Sequence, residues 1–493
     1  MALIDLNIPA GVYKNGTDLQ SMGRWHDASL IRWGDGVMRP VGGWRLRSST
    51  AANAVLRGML TWIDNSSDRW IASGTYNKLY VWNTAGTRFD ITPAGLTPGR
   101  EDAIAFTGYG GGLYGSYGYG VARPDTVRIQ PATSWDLESW GEYLLACNED
   151  DGKIYEWQLN TAVVAAVLSN APTANLGCVV TEERFLFALG AGGNPRKVQW
   201  SDREDNNLWT PAATNEAGDL ELNTSGAIMK GMTVRGQTLL LTTRDAHIAN
   251  YIGPPYVYGI ERVGTSCGLA AKQAAVVVDA GAFWMGVNLF YTYQGGSVQE
   301  LPCDVADYVF NDINKGQVSK AFGMSNSMFS EITWFYPSSS SIENDRYVTY
   351  NYTENTWMIG NLARTAGIDR GAFRQPIMAD PADYKIYEHE IGFDYGTLVP
   401  FAETGPFRIG TGDQVMSVTE LLPDEKSQGD VNAVFKTRFY PNGTERSYGP
   451  YSMSNPTSVR FTGRQVRMRV EGERLADWRV GINRLDAVGG GRR

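Results

Sequence analysis

The sequence has little of what disulfide scaffolds, zinc sites and membrane proteins require. Its 493 residues include only 4 cysteines and 3 histidines, and no CxxC pair occurs. This spacing excludes a disulfide framework, so reduced thiols are expected. No run of 18 apolar residues is present, and the apolar stretch NTAVVAAVL is too short to span a membrane. The opening, MALIDLNIPAG, lacks a basic region followed by a long apolar core, so no secretory signal is expected.

Positive charge is also scarce, and it is unevenly placed. The formal net charge is −9, which argues against nucleic-acid binding by bulk electrostatics. Residues 421–493 nevertheless hold 13 Lys and Arg against 8 Asp and Glu, a local charge of +5 that leaves −14 elsewhere. A basic end on an acidic body is typical of a docking surface, and an ordinary basic β-domain is the alternative.

Catalytic signatures are missing as well. No GxSxG, Walker loop or HExxH pattern occurs, and His26, His247 and His389 lie far apart in the chain. The run GYGGGLYG has glycine spacing but lacks the strand–loop–helix setting of a phosphate cradle. We therefore expect no enzyme activity, no metal and no cofactor.

What the chain has instead is glycine, tyrosine and tryptophan, with 56, 25 and 15 residues, which indicates many short strands and tight turns. A unit of an apolar run, a polar turn and a second run with aromatics recurs about every 40–50 residues, which is typical of β-propeller blades. A lone blade cannot bury both faces, but ringed neighbours can. A set of antiparallel sandwiches is the alternative. The second runs begin near Lys78, Lys153, Lys197, His247, Leu289, Tyr347 and Tyr384.

The predicted fold is mainly β, a β-propeller-like body of irregular blades with an additional C-terminal β-sandwich. Residues 1–50 are predicted to be an N-terminal arm joining the β body or platform, and 51–400 the propeller-like domain. The alternation in VRMRV and WRVGINRL, with an Asn442–Gly443 turn, predicts a sandwich over 401–486. Residues 487–493 are expected to be a flexible tail. One short helix is expected within 302–322.

Two surfaces are candidates for contact with partners. The insertion at 106–124 combines glycines with Tyr109, Tyr114, Tyr117 and Tyr119, and broad tyrosine faces suit a subunit or partner contact better than a linker. A flexible loop is the alternative. The second candidate is a docking face on the sandwich; a charged outer sheet face is its alternative. Its residues are Arg464, Arg467, Arg469 and Arg479.

The stretch VQWSDREDNNLWTP, residues 198–211, combines carboxylates, a hydroxyl and tryptophans. Asp202, Glu204 and Asp205 suggest a glycoside hydrolase, and Asp202, Asp205 and Asn207 suggest a calcium loop, but the glycine and final glutamate of a calcium loop are missing. We interpret Trp200 and Trp209 as packing anchors, and Ser201 and Asp202 as turn-capping groups.

The same region resembles the tail nozzle, or hub, proteins of short-tailed phages, which include the packaged-DNA stabilisation and tail tubular B proteins. The resemblance covers about residues 40–300 and includes RPVGGWRLR, whereas the C-terminal sandwich departs from it. The matching elements are Trp200–Ser201–Asp202, Trp209–Thr210–Pro211, Ala217–Gly218–Asp219, residues 232–234 and residues 239–243.

The resemblance implies a virion protein made in the host cytoplasm, which forms a six-fold ring below the portal and adaptor. Such a ring extends the DNA channel, retains packaged DNA and guides its ejection without sequence-specific binding. The implied partners are other copies of the chain, the head-to-tail adaptor, and a fibre, spike or needle protein. A tail-associated glycan-binding or glycan-degrading propeller and a cellular binding module are the alternatives.

Overall fold

The computed structural model describes residues 2–104, 129–408, 414–472 and 475–491. The N-terminal strands are β1 (Ala2–Leu6), β2 (Trp25–Ser29), β3 (Ile31–Gly34), β4 (Val37–Pro40) and β5 (Trp44–Leu46). The next strands are β6 (Arg57–Ile63), β7 (Arg69–Gly74), β8 (Leu79–Trp82), β9 (Arg88–Asp90), β10 (Trp135–Trp140), β11 (Tyr143–Asn148), β12 (Ile154–Trp157), β13 (Ala166–Val167), β14 (Gly177–Val180), β15 (Leu186–Leu189), β16 (Lys197–Trp200), β17 (Gly218–Glu221), β18 (Ile228–Val234), β19 (Gln237–Thr242), β20 (Ala246–Gly253) and β21 (Val257–Gly264).

The second half continues with β22 (Ala275–Val278), β23 (Gly281–Met285), β24 (Phe290–Gln294), β25 (Ser297–Leu301), β26 (Phe322–Asn326), β27 (Glu331–Tyr336), β28 (Arg346–Asn351), β29 (Thr356–Asn361), β30 (Ala366–Ile368), β31 (Ile377–Ala379), β32 (Ile386–His389), β33 (Phe401–Thr404), β34 (Met416–Leu422), β35 (Val431–Arg438), β36 (Arg446–Ser452), β37 (Thr457–Gly463), β38 (Gln465–Gly472) and β39 (Asn483–Gly489). One α-helix, α1 (Ala306–Asp312), lies among the described residues, inside the segment expected to be helical. Short 3₁₀ turns cover Asp18–Ser21, Ala191–Gly193 and Val318–Lys320.

The described strands from β5 to β32 form seven four-stranded antiparallel sheets, the blades of a β-propeller. The first strand of each blade lies beside the first strand of the next, and β30 returns to β6, so the ring is closed. Blades 1 to 6 each use four consecutive strands, starting with β6–β9 and ending with β26–β29. The prediction of a mainly β fold with a propeller body is confirmed.

The second strands of the blades show why ringed blades are stable. Every residue of β15 (LFAL) and residues 239–241 of β19 (LLL) are fully buried. Consecutive side chains of a strand point to opposite faces, so such a strand must be covered on both sides. The neighbouring blades supply that cover.

Blade 7 is completed from the other end of the chain. Its sheet order is β30, β31, β32 and then β5, and Arg45 stands opposite Glu388 in the register. The guanidinium groups of Arg45 and Arg47 donate to the two carboxylate oxygens of Glu388 at 2.8 and 2.9 Å. The propeller ring is therefore closed by a pairing between residues 44–46 and 387–389.

The remaining strands form a β-sandwich to which both ends of the chain contribute. One sheet has the order β1, β39, β34, β37, and the other has the order β2, β33, β38, β35, β36. Buried residues alternate with half-buried ones along β35 and with exposed ones along β37, and Phe435 stacks on Phe461 with ring centroids 4.5 Å apart. The N-terminal segment thus supplies two sandwich strands as well as the last strand of the propeller.

A buried ion-pair cluster fastens the N-terminal hairpin β3–β4 to the propeller. The Arg32 guanidinium donates to both oxygens of Glu331 at 3.0 and 2.9 Å and to both oxygens of Glu390 at 2.9 and 2.6 Å. It also stacks 3.6 Å above the ring of Phe329. The side chains of Arg32 and Glu331 are almost fully buried. The ion-pair cluster therefore joins the β3–β4 hairpin to blade 6 and to the end of blade 7.

Candidate interaction surface and central channel

The stretch 198–211 lies where β16, the third strand of blade 3, leaves the sheet. Trp200 is buried against Phe187 and Tyr258, and its Nε1 donates to the Glu216 carbonyl at 2.9 Å. Trp209 is also buried, and its Nε1 donates to the Asn206 carbonyl at 2.8 Å. Both tryptophans therefore bury a large apolar side chain in the blade and hold a nearby turn through a hydrogen bond to its main chain.

The polar groups of this stretch bind the backbone. The Ser201 hydroxyl accepts from the Leu186 amide at 3.1 Å and donates to the Asp202 carbonyl at 2.9 Å. Oδ1 of Asp202 accepts from the Glu216 amide at 2.8 Å, and Oδ1 of Asp205 accepts from the Asn207 amide at 2.9 Å. These carboxylates close turns, as asparagine and aspartate do in loops.

The Ser201 hydroxyl gives a measurable stability contribution. Ser201→Ala leaves the buried Leu186 amide without that acceptor, so we expect the free energy of unfolding to fall by about 1–3 kcal/mol. Ser169 is exposed, and Ser169→Ala should change the free energy of unfolding by less than about 0.5 kcal/mol. Denaturant unfolding of both variants measures the effect, and equal stabilities would contradict it.

The loop after Trp200 also braces blade 3 to its two neighbours. The Asn206 amide donates to Oε2 of Glu156 on β12 at 2.6 Å. On the other side, the Tyr251 hydroxyl on β20 donates to Oε1 of Glu216 at 3.3 Å. The loop therefore links blades 2, 3 and 4 at the outer rim.

A groove with exposed valines lies on blade 2, next to this brace. Val163 is 54% exposed, and Val164 and Val167 are nearly as open. Together with Trp157 and Leu168 they line a groove of about 500 Å³, called the blade 2 groove below. Its polar lining comes from Glu156, Gln158, Asn160 and Asn207. The sequence contains no charged residue from 157 to 181.

The outer edges of the other described blades differ from this one. An open sheet edge pairs readily with another chain, and charges on the edge normally prevent this. The edge of blade 6 is covered by β2. The remaining edges carry Arg88 and Asp90 (blade 1), Asp219 and Glu221 (blade 3), Glu261 and Arg262 (blade 4), Glu300 (blade 5) and Arg45 (blade 7). Blade 2 has an edge suited to contact.

A protruding apolar hairpin lies two blades further on. The tip of the β20–β21 hairpin, Ile252–Gly–Pro–Pro–Tyr256, exposes 58% of Ile252 and 77% of Tyr256 and is called the blade 4 knob. Groove and knob both lie at connections between third and fourth strands. Because blade strands alternate in direction, all such connections lie on one face of the disc, opposite the blade-to-blade connections. Exposed apolar patches of this kind mark protein contacts.

The axis of the propeller is crossed by polar groups near the start of the first strands. Asp136 on β10 is fully buried, and its carboxylate lies 2.7 Å from Nζ of Lys230 and 3.1 Å from Nζ of Lys272. Lys230 belongs to blade 4 and Lys272 precedes blade 5. Burial alone would raise the pKa of Asp136, but the two ammonium groups outweigh it and hold that pKa below its usual value.

Two further contacts reach across the axis. Nε2 of Gln273, before blade 5, donates to the Trp135 carbonyl on blade 2 at 2.7 Å. The Gln317 side chain, before blade 6, donates to the Ala103 carbonyl at 2.9 Å and accepts from its amide at 3.0 Å. Blades 2 and 5 stand on nearly opposite sides of a seven-bladed ring. Among the described residues, polar side chains therefore cross the axis of the propeller at this end.

Glu138 makes this region sensitive to pH. Burial raises its pKa to about 7, with Lys230 opposing and Asp136 adding to the shift. The folded state then keeps its proton at pH values where the unfolded carboxyl, with a pKa of 4.5, has lost it. Stability from this group is fully present below pH 4.5 and is lost as pH rises to about 7.

We expect Glu138→Gln to stabilise the protein by an amount that grows between pH 4.5 and 7 and then stays constant. The plateau should be about 1–3 kcal/mol. Urea unfolding at a series of pH values measures it. Glu101→Gln, at an exposed carboxylate, should differ from wild type by less than about 0.5 kcal/mol throughout. A stabilisation that shrinks as pH rises would contradict the assignment.

The four arginines of the candidate docking face are engaged to different degrees. Arg467 is buried and ion-paired with Asp18 and Glu445. Arg469 stacks on Phe401 and pairs with Glu471, and the Arg464 guanidinium lies 5.3 Å from the Tyr440 ring. Arg479 pairs with Asp477 at the surface, with both side chains more than 40% exposed. Of this set, Arg479 is the most available to a partner.

The other candidate contact, Tyr109, Tyr114, Tyr117 and Tyr119, lies outside the described residues. His26, His247 and His389 lie on three different sheets, and His389 is buried beside Arg364, whose Nε donates to it at 3.0 Å. Among the described residues, no group of three or more His, Cys, Asp or Glu side chains is placed to hold a metal ion. Within the same ranges, no helix has the length and apolar character needed to cross a bilayer.

The groove and the channel network were not found in the sequence. The groove segment is too short to span a membrane, and its long charge-free stretch with valines is the one signal in the sequence for this contact surface. Asp136, Lys230 and Lys272 are single charges on separate blades. Their spacing carries no pattern that a linear reading could use.

No protein-family model and no curated protein matches the chain. The solved structures that resemble it include virginiamycin B lyase from Staphylococcus aureus, with a TM-score of 0.44 and 10% identity over 70% of this chain and 99% of that one. They also include the β-propeller domain of Cps50 (Swd1) from Myceliophteria thermophila, with a TM-score of 0.42 and 8% identity over 71% and 99%. The WD40 β-propeller domain of Doa1 has a TM-score of 0.40 and 9% identity over 70% and 96%. At these identities the likeness concerns the β-propeller fold alone.

Proposed function

We propose that this β-propeller protein is a structural virion component, the tail nozzle or hub of a short-tailed phage. It would be made in the host cytoplasm, extend the DNA channel below the portal and adaptor, retain packaged DNA and guide its ejection. The observation that carries the proposal is the pair of surfaces with exposed apolar side chains, groove and knob, on one face of the disc. The resemblance of residues 198–243 to nozzle proteins supports the same assignment.

Groove and knob are different surfaces of one chain, so a contact between them is head-to-tail. Such contacts close into a ring when the rotation between subunits divides a full turn. Blades 2 and 4 stand roughly 100° apart around the disc, so the two contacts of a subunit point in directions that suit a small closed ring. The number of six subunits in this proposal comes from the resemblance to nozzle proteins.

The contacts across the propeller axis favour a DNA path along the axis of the ring. Polar side chains from opposite blades meet inside the individual propeller, so DNA would pass between subunits. A net charge of −9 suits a wall past which DNA slides, because fixed positive charge would bind phosphates. The basic sandwich, with Arg479 at its surface, would contact an acidic surface of the adaptor.

Mass photometry of the purified protein mixed with the virion's adaptor tests the ring. We expect six copies per complex, and charge in the groove (Val163→Asp with Val167→Asp) or on the knob (Tyr256→Asp) should lower the ring population at least tenfold. Ile342→Asp is the matched control, because Ile342 is 62% exposed and lies on the opposite face. Thermal unfolding establishes that each variant is folded.

Two outcomes would overturn the proposal. One is a wild-type protein that stays monomeric and never binds the adaptor. The other is a ring that tolerates groove and knob variants as well as the control. Turnover of host glycans that is lost in Asp202→Asn would instead establish a glycan-degrading propeller. The backbone hydrogen bond that occupies Oδ1 of Asp202 favours the structural assignment.

A further inference from the structure

An open polar cleft of about 450 Å³ separates blades 4 and 5 on the face opposite the groove and knob. It lies between the β19–β20 turn, the connection from β21 to β22, and the β23–β24 turn. Its volume is in the range of small-molecule sites. The cleft shares no residue with the groove and knob of the proposed ring.

Two arginines give the cleft its charge. Arg244 and Arg262 are both exposed along it, and neither guanidinium has a hydrogen bond or ion pair within the described ranges of the chain. The one carboxylate in the wall, Asp245, is buried and turned inward. Its oxygens accept from the hydroxyls of Thr224 at 2.9 and 2.8 Å and of Thr242 at 2.6 Å. The open part of the cleft is therefore cationic.

The backbone under the arginines is fixed. The Cys267 amide donates to the Arg244 carbonyl at 3.0 Å, and Arg262 is paired with His247 in the β20–β21 register. Gly268 lies so close that a Cβ there would come within 2.1 Å of the Thr243 carbonyl oxygen. Only glycine lets the segment at 268 approach the segment at 243 this closely. The main chain of the cleft therefore has a fixed conformation before any ligand binds.

The remaining lining is rich in groups that recognise hydroxyls. Ser225, Thr243, Thr265, Ser266 and Asn288 supply hydroxyl and amide groups. Tyr291 stacks on Trp284 with centroids 5.8 Å apart, and its hydroxyl donates to the Ser266 carbonyl at 3.0 Å. Val287 adds an apolar rim. Planar guanidinium groups bind carboxylates through paired hydrogen bonds, while the other groups match the hydroxyls and apolar face of a sugar.

We propose that this cleft binds an acidic oligosaccharide, with the carboxylate of one sugar held by Arg244 and Arg262. A nucleic-acid backbone fits less well, because a track of phosphates needs more cations than two and the chain as a whole is negative. The site binds and does not cleave, since the buried carboxylate of Asp245 is committed to its threonine partners.

Isothermal titration of the full chain tests this assignment. The carboxylated probes are tetragalacturonate, a hyaluronan tetrasaccharide and sialyllactose, and the comparators are maltotetraose and inorganic phosphate. At least one carboxylated probe should bind at least tenfold more tightly than both comparators. Its affinity should fall at least fivefold in Arg244→Gln and in Arg262→Gln, and it should weaken as salt is raised.

Arg460→Gln, at an exposed arginine of the sandwich, is the matched control and should leave binding unchanged. Because the three side chains are exposed, unfolding curves of the variants should overlay that of wild type. Equal binding of phosphate would reduce the cleft to a plain anion site and overturn the proposal. So would a lack of binding by all three carboxylated probes, or binding that survives the Arg244→Gln, Arg262→Gln double variant. Ring assembly is measured separately, so failure here leaves the nozzle assignment untouched.

Discussion

Replacing Arg32 with methionine should lower the free energy of unfolding by about 3–5 kcal/mol, because it leaves two buried carboxylates without a counter-charge. Glu331 and Glu390 each receive two hydrogen bonds from this guanidinium. Methionine fills a similar volume, so the loss measures charge and hydrogen bonding more than packing. Denaturant unfolding gives the value directly.

Arg39 provides the matched control for Arg32. It stands opposite Arg32 in the β3–β4 register, and its guanidinium lies 5.1 Å from the same Phe329 ring. Arg39→Met should cost less than about 1 kcal/mol. Adding Glu331→Gln and Glu390→Gln to Arg32→Met should recover at least half of the lost stability, since the uncompensated charges are then removed. Equal losses at Arg32 and Arg39 would show that the cluster contributes no more than packing.

The second large effect is expected at the propeller axis. Asp136→Asn removes the negative charge between Lys230 and Lys272, and Lys272 is nearly fully buried. Two ammonium groups, one from blade 4 and one from the segment before the neighbouring blade 5, would then lie close together beside a neutral amide. We expect a loss of about 3–5 kcal/mol in the free energy of unfolding.

The exposed pair Lys78–Asp90 is the control for Asp136. Its Nζ and Oδ2 atoms are 3.0 Å apart, but the side chains are 40% and 42% exposed. Asp90→Asn should therefore cost less than about 1 kcal/mol. Lys230→Met added to Asp136→Asn should restore part of the stability by removing one unpaired charge. A loss at Asp136 no greater than at Asp90 would mean that water reaches the network and screens it.

The repeat in the sequence predicted the propeller because third strands are locally encoded. The seven second runs, beginning near Lys78, Lys153, Lys197, His247, Leu289, Tyr347 and Tyr384, coincide with or start within two residues of β8, β12, β16, β20, β24, β28 and β32. Each of these runs contains aromatic residues and follows a turn. This pattern is visible in the local sequence, whichever strands pair with the run. The fold class was therefore predictable, and it is confirmed.

Long-range pairing is what the sequence could not reveal. The outer strand of blade 7 is β5, and the residue types of Trp44–Leu46 do not identify β32 as its partner. The same holds for β1 beside β39 and β2 beside β33. Strand pairing depends on main-chain hydrogen bonds that any residue can make, so the partner is set by the global fold. The interaction surfaces are equally non-local, because a groove or channel appears only once blades stand side by side.

The N-terminal segment completes both the propeller and the sandwich, so neither can be finished until C-terminal strands have been made. During synthesis, β5 emerges long before β32, and β1 before β39. Contacts between such distant residues are slow to form, because the loop entropy must be overcome first. An incomplete chain therefore holds an open row of blades with unsatisfied ends, and the groove of blade 2 is exposed early. The closed disc that presents groove and knob on a common face exists only after β32 has been made and has paired with β5. In the proposed ring, a chain that ends before β32 would therefore lack the closed disc on which groove and knob share a face.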